Sequence, residues 1–478
     1  MTPLLAAGAT LLAAPKEAAA CGGCFAPQDP PTVVSGHRMA LAVSMEHTVL
    51  WDSIQYSGEP AEFAWVLPVK PGARVEAATA AFFEVLEGQS AVRIVPPMLD
   101  CGGGSSGVGC GATLAAAEDD SGGGGFSNGG QTVDVVHQGT VGPYETVTLS
   151  TETPGALNTW LDQHGYNVDP TTQPIIDGYV AEGFDFIALR LQPGKGISQM
   201  TPVRVIMPAG SATLPLRMVG IGTGALTPVV LYVIGEGRYT VKNFDEITVP
   251  TTLLSWNFKT EESNYAELRD SALARNGGEN FLTAYAAQGI FNGGYYYDES
   301  TGASQSLAQL YVSQAAKNGE IPTACTLPAS YGSGRVVNPC PPGEPWDSPA
   351  CGAAPSGNLD ARDFGCPGAE DVSVALEGQY LSSVWVTRLE AVLPRTAFNR
   401  DLELQAAEEQ DWVSNYVTAN IALEAEGQCP SGIIPRTIKV DDANNRRFTT
   451  IGSILGAAAL ALGLRRRSIR KAKQGATS

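Results

Sequence analysis

At 478 residues, with 44% of them apolar, the chain has the length and composition for one or two globular domains with full hydrophobic cores. Its 54 glycines and 32 prolines favour strands, turns and loops over long helices. The net charge of −19, more negative still for the body without its basic tail, opposes contact with nucleic acid and with anionic lipid headgroups, so no nucleic-acid partner is expected.

The chain opens on an apolar stretch, Met1 to Pro15, too short to span a bilayer. Ala18-Ala19-Ala20 and Cys21 follow, so 1–20 reads as a secretory signal peptide, although no Lys or Arg precedes the apolar core. Met39, Leu41, Val43 and Met45 alternate with Ala40, Ala42 and Ser44, which is strand period. The pattern continues over 49–56 and 62–69, where Phe63, Trp65 and Leu67 share a face. Phe82, Phe83 and Leu86 predict a helix over 77–87 that stops at Gly88, and a strand follows at 92–95. Residues 101–131 are rich in Gly and Ser, with an acidic Glu118-Asp119-Asp120, and cannot bury a core, so they read as an insertion. Strands are expected at 132–137 and 144–149, then a helix opened by Thr153-Pro154, with Leu157, Trp160 and Leu161 facing inward and Gly165 at its end. Further strands are expected at 184–191, 201–207, 214–219 and 229–234. Beyond Thr251 the texture changes. Amphipathic helices are predicted at 263–276 and 306–317, strand character at 372–392 and a last helix at 412–424.

Near the C-terminus, Thr449 to Leu464 carries no charge. At about 1.5 Å per residue this stretch covers roughly 24 Å, and Phe448 with snorkelling Arg side chains brings it close to a ~30 Å hydrocarbon core. Arg465-Arg466-Arg467, Arg470, Lys471 and Lys473 follow, a cytoplasmic pattern. The expected topology is a single-pass envelope protein with its body outside and its C-terminus in the cytoplasm.

Nine cysteines fit an oxidising compartment. Cys325 with Cys340, and Cys351 with Cys366, are equally spaced in a segment with no core of its own, and Cys101 and Cys110 bracket the Gly/Ser loop. All six are disulfide candidates; a bridge closing about 15 residues stabilises by ~3 kcal/mol in the chain-entropy model. Cys21 is a lipidation candidate, and the connectivity of the rest stays open. Cys21-Gly-Gly-Cys24 has redox spacing, but Pro27, Pro30 and Pro31 exclude the helix that activates such a thiol. His37, His47, His137 and His164 are scattered, so no metal or cofactor is expected.

The fold class that follows is α+β: a predominantly antiparallel, sandwich-like β body with a few packed helices, a disulfide-rich segment and a C-terminal transmembrane helix. The expected division is a β-rich domain over 21–250, a mixed region over 251–430 containing the Cys-rich 325–366, a linker at 431–447, an anchor at 448–464 and a basic tail at 465–478.

Several motifs carry a family resemblance: Ala20-Cys21-Gly22-Gly23, Ile54-Gln55-Tyr56-Ser57-Gly58, Phe63-Ala64-Trp65-Val66-Leu67-Pro68-Val69, Trp160-Leu161 with Gly165-Tyr166, Thr201-Pro202-Val203-Arg204-Val205 and Thr387-Arg388-Leu389. On these the chain resembles a family of bacterial exported proteins called domain of unknown function 2330. The resemblance implies an exported envelope protein and brings no activity or catalytic residue with it.

Motifs that suggest chemistry lack the context it needs. Gly103 to Gly107 matches G-x-S-x-G inside a loop rather than at a strand-to-helix elbow. Gly220-Ile-Gly-Thr-Gly-Ala225 loosely fits a dinucleotide fingerprint, but Pro228 excludes the helix, so a turn between antiparallel strands is expected. Trp65, Trp160, Trp256, Trp385 and Trp412 lie on apolar periodic stretches and read as core. No residue set rises to a catalytic site. A structural or interaction module of the envelope, with an unidentified protein or envelope partner, is the expected function; an extracytoplasmic hydrolase with an acidic site is the alternative.

Overall fold

Residues buried on both faces of a strand need a layer on each side, and the central strands of this protein carry apolar side chains on both. The computed structural model describes residues 24–25, 33–57, 64–100, 135–150, 155–164, 168, 170, 172–195, 199–221, 223–291, 296–298, 303–323, 368–425 and 436–437. They form a strand-rich, mixed α/β structure with seven α-helices among the described residues.

An eight-stranded sheet runs in the order Asp245–Ile247, Asn280–Gln288, Val384–Pro394, Leu226–Glu236, Val33–Val43, His47–Ser57, Val203–Pro208, Arg74–Ala77. It is mixed: Leu226–Glu236 runs parallel to Val33–Val43, and Asp245–Ile247 parallel to Asn280–Gln288. A five-stranded antiparallel sheet has the order Cys24–Phe25, Ala64–Val69, Asp185–Leu191, Tyr144–Leu149, Val135–Val141. One core joins the sheets face to face, packing Met39, Leu41, Leu231 and Leu389 with Trp65, Leu67, Ile187 and Leu189. The eight-stranded sheet draws strands from both sides of residue 250, so no sheet boundary falls there.

The outer face of each sheet carries helices. Ala40, Ala42, Trp51, Tyr232 and Ile234 of the larger sheet pack with Phe82 and Phe83 of the Ala80–Ser90 helix, Tyr311 of Leu307–Lys317 and Val372 of Asp371–Leu376. Val66, Leu149 and Phe186 of the smaller sheet pack with Leu157 and Leu161 of Ala156–Gln163, Tyr179 of Gln173–Ala181 and Met218 of Leu216–Val219. Helix, sheet, sheet and helix thus stack in four layers. Leu307–Lys317 starts at a capping box, in which Ser306 Oγ accepts from the Gln309 N–H at 3.2 Å and the Ser306 N–H donates to Gln309 Oε1 at 2.8 Å.

Several expectations need correction. The stretch 214–219 is not a strand: Thr213–Leu214 is a two-residue strand, and Leu216–Val219 is a helix starting after Pro215. Gly220 therefore follows a helix instead of sitting in a hairpin turn, and the Phe398 side chain occupies the place where a Cβ would go. The stretch with Val372 and Val374 at alternate positions forms the helix Asp371–Leu376, with the strand only at Val384–Pro394. The last predicted helix is two short strands, Tyr416–Thr418 and Ile421–Leu423. Gly88 lies inside the Ala80–Ser90 helix, which continues to Ser90. Gln173–Ala181 is a helix that was not expected. Trp65, Trp160 and Trp385 are buried and Trp256 is partly so, but Trp412 is exposed.

No helix among the described residues is long and apolar enough to cross a membrane. The 448–464 stretch, the 101–131 insertion and the 325–366 segment all lie outside the described residues.

Candidate functional site

Alternation along Val33–Val43 and His47–Ser57 directs Met39, Leu41 and Leu50 into the core between the sheets. His37 and Asp52 occupy the same face, because Met39 pairs with Asp52 and His37 lies two residues before Met39. Both are almost completely buried. His37 Nδ1 is 3.7 Å from Asp52 Oδ1, too far for a hydrogen bond and close enough for charge to be felt. Neither ring nitrogen of His37 nor Oδ1 of Asp52 has a hydrogen-bond partner among the described residues. Asp52 also lines an internal cavity of about 10 Å³, roughly the space of one water, walled by Met39, Leu50, Trp65, Leu67 and Met218. Burial raises the Asp52 pKa above the ordinary carboxylate value, and His37 opposes this only in part. Chemically, this is a carboxyl group beside an imidazole in an apolar chamber, an arrangement that can hold or pass a proton.

The opposite face of the same sheet holds a second buried carboxylate, Asp371, which is fully partnered. Its Oδ1 accepts from Trp51 Nε1–H at 2.8 Å and from Arg204 Nη1–H at 2.9 Å. Its Oδ2 accepts from the Thr79 N–H at 2.9 Å, the Thr79 hydroxyl at 2.7 Å and the Tyr311 hydroxyl at 3.2 Å. Arg204 also donates to Glu76 at 2.8 Å. Burial opposes ionisation of Glu76, but Arg204 and Arg74 hold it below the usual carboxylate range. The carboxylate of Glu320 accepts from the N–H groups of Ala80 and Ala81 at 2.6 and 3.1 Å. Thus Asp371 and Glu320, remote in sequence, satisfy the first N–H groups of the Ala80–Ser90 helix and complement its dipole.

Two further networks tie layers together. Arg388 donates to Glu390 at 2.6 Å and to Glu87 at 2.7 Å, and the Tyr232 hydroxyl donates to Glu87 at 2.5 Å. Burial opposes the Glu87 charge, but Arg388 outweighs it and the pKa is lowered. On the smaller sheet's helical layer, Asp401 accepts from Tyr179 at 2.6 Å and from Arg217 at 2.7 Å, and Arg217 also donates to Glu182 at 2.6 Å.

The residues singled out by sequence, Cys21, Cys101, Cys110, Cys325, Cys340, Cys351 and Cys366, lie outside the described residues. Cys24 is described in its backbone only and pairs with Trp65, a residue of the cavity wall. Among the described residues no group of three or more His, Cys, Asp or Glu side chains could hold a metal ion. The pairing of His37 with Asp52 was missed. Its signal was present, since both are ionisable residues at inward positions of strands whose neighbouring inward positions, Met39, Leu41 and Leu50, are apolar.

A family described as an uncharacterized protein conserved in bacteria (DUF2330) matches residues 15–289, more than half of the chain. No curated protein and no solved structure matches.

Proposed function

From the premise that the chain belongs to the DUF2330 family of conserved bacterial proteins, we propose that it is an exported envelope protein. Its body lies outside the cytoplasm, held by a membrane segment at 448–464, with 465–478 inside, and it acts as a structural or interaction module. The observation that carries this reading is the uncharged stretch Thr449 to Leu464 followed directly by Arg465-Arg466-Arg467. Three other features support it: the leader-like 1–20, nine cysteines suited to an oxidising compartment, and an acidic body. The ion-pair networks of Arg204, Arg217 and Arg388 fit a module whose buried polar groups join its layers. Cell fractionation tests the reading. The full chain is expected in the membrane fraction, and the chain ending at Arg447 is expected soluble in the extracytoplasmic fraction. Full-length protein in the cytoplasm overturns the proposal.

A second reading, an extracytoplasmic hydrolase, draws on His37 and Asp52, the one described pair with the burial and unpartnered atoms of an acid–base site. It requires a route by which substrate reaches a water-sized chamber. Hydrolytic activity lost in Asp52→Asn while the fold persists would favour it.

A further inference from the structure

Nine large hydrophobic side chains are exposed among the described residues, and six of them lie on segments linked to one another by backbone pairing. These six are Met98, Leu253, Trp412, Tyr416, Ile421 and Leu423, each 39–62% exposed. Tyr416–Thr418 runs parallel to Arg93–Val95, three residues before Met98. Ile421–Leu423 runs parallel to Ser255–Asn257, and the Leu254 carbonyl, next to Leu253, accepts from the N–H groups of Asn420 and Ile421. An exposed apolar surface of this kind marks a contact with another apolar phase.

The path of the chain indicates which phase. Arg436–Thr437 pairs antiparallel with Leu99–Asp100, directly beside Met98. From Thr437 to Phe448, where the apolar segment begins, there are eleven residues, which span at most about 40 Å. Thr437, the last described residue before that segment, is therefore paired beside Met98, one of the exposed hydrophobics.

We infer that this surface, centred on Trp412 and Tyr416, rests on the bilayer interface, so that the body lies against the membrane instead of standing away from it. The inference rests on the anchored topology proposed above. Tryptophan and tyrosine suit such a position, because each joins an apolar ring body to a polar edge. Local charge selects the lipid. Asp411, Glu261 and Glu262 are exposed close by, while Lys259 is paired with Glu424 at 3.5 Å and Arg93 lies against the Tyr416 ring. The acidic rim disfavours anionic headgroups, so the surface fits zwitterionic ones.

The full chain reconstituted in phosphatidylcholine vesicles with brominated acyl chains tests this, because the 448–464 segment contains no tryptophan and cannot itself report quenching. Flotation of the vesicles reads the anchor independently. Trp412 is one of 7 tryptophans, so the expected loss is roughly one-seventh of the emission, and Trp412→Phe is expected to remove it. Protein that floats without quenching, or whose quenching survives in Trp412→Phe, overturns the docking inference and leaves the anchored topology standing. Protein that does not float overturns both.

Discussion

Trp51 and Asp52 are neighbours on one strand and reach opposite faces of the eight-stranded sheet, where two buried carboxylates have contrasting surroundings. On the helical face, Asp371 receives five donor hydrogens, one of them from the Trp51 ring. On the face between the sheets, Asp52 has the Ser53 N–H, a distant imidazole and an apolar chamber, and its Oδ1 has no hydrogen-bond partner among the described residues. The helical face can supply polar partners because a helix N-terminus and a hydroxyl-bearing helix lie over it, whereas the facing sheet presents Trp65 and Leu67. A saturated buried charge fixes the position of layers. An unsaturated one makes no comparable contribution to the fold, and it is the better candidate for chemistry.

Substitutions can break this contrast. The largest effect is expected at Asp371→Asn, which leaves Arg204 buried beside a neutral amide; stability should fall by about 3–5 kcal/mol, measured by denaturant unfolding. A loss under about 1 kcal/mol would mean that the network is not a structural tie. Arg388→Met should cost about 2–3 kcal/mol, less than Asp371→Asn because water can solvate the partly exposed Glu87 and Glu390 keeps Arg269 at 3.8 Å. Trp51→Phe removes one of the five donors to Asp371 and should cost about 1.5 kcal/mol, mostly from that hydrogen bond. A cost equal to that of Asp371→Asn would show that the donors act as a unit and do not contribute separately.

The inter-sheet strands were legible because each side chain on them alternates between two layers, and period 2 survives wherever one face is strictly apolar. The capping box at Ser306 likewise carries its own signal. The failures are short elements set by distant partners. The run Asp371–Leu376 sets Val372 and Val374 at strand period and reads as strand, yet Asp371 bonds residues 60 to 320 positions away, a constraint no local window contains. Leu216–Val219 is only four residues long, too short for helical period to register, and it is held by Asp401 through the Arg217 N–H at 3.0 Å. The segment 412–424 has apolar residues at spacings that suit a helix, but its strands pair with Arg93–Val95 and Ser255–Asn257. At the site, the polar breaks at 37 and 52 were visible separately; their meeting depended on the register of Val33–Val43 against His47–Ser57.

The smallest expected effect gives the most direct test of the contrast. The folded protein holds the Asp52 proton to higher pH than the unfolded chain, because burial raises the pKa. Stability from this group is therefore full below the ordinary carboxylate pKa and is lost as pH rises through the raised folded value. Asp52→Asn removes the titration. Unfolding free energies of wild type and Asp52→Asn, measured across the range from pH 4 to pH 8, should differ little at the acid end. At the alkaline end the variant should be the more stable of the two. A variant less stable than wild type at pH 8, or a difference that does not change with pH, would contradict the view of Asp52 as a buried carboxylate with an unpartnered oxygen.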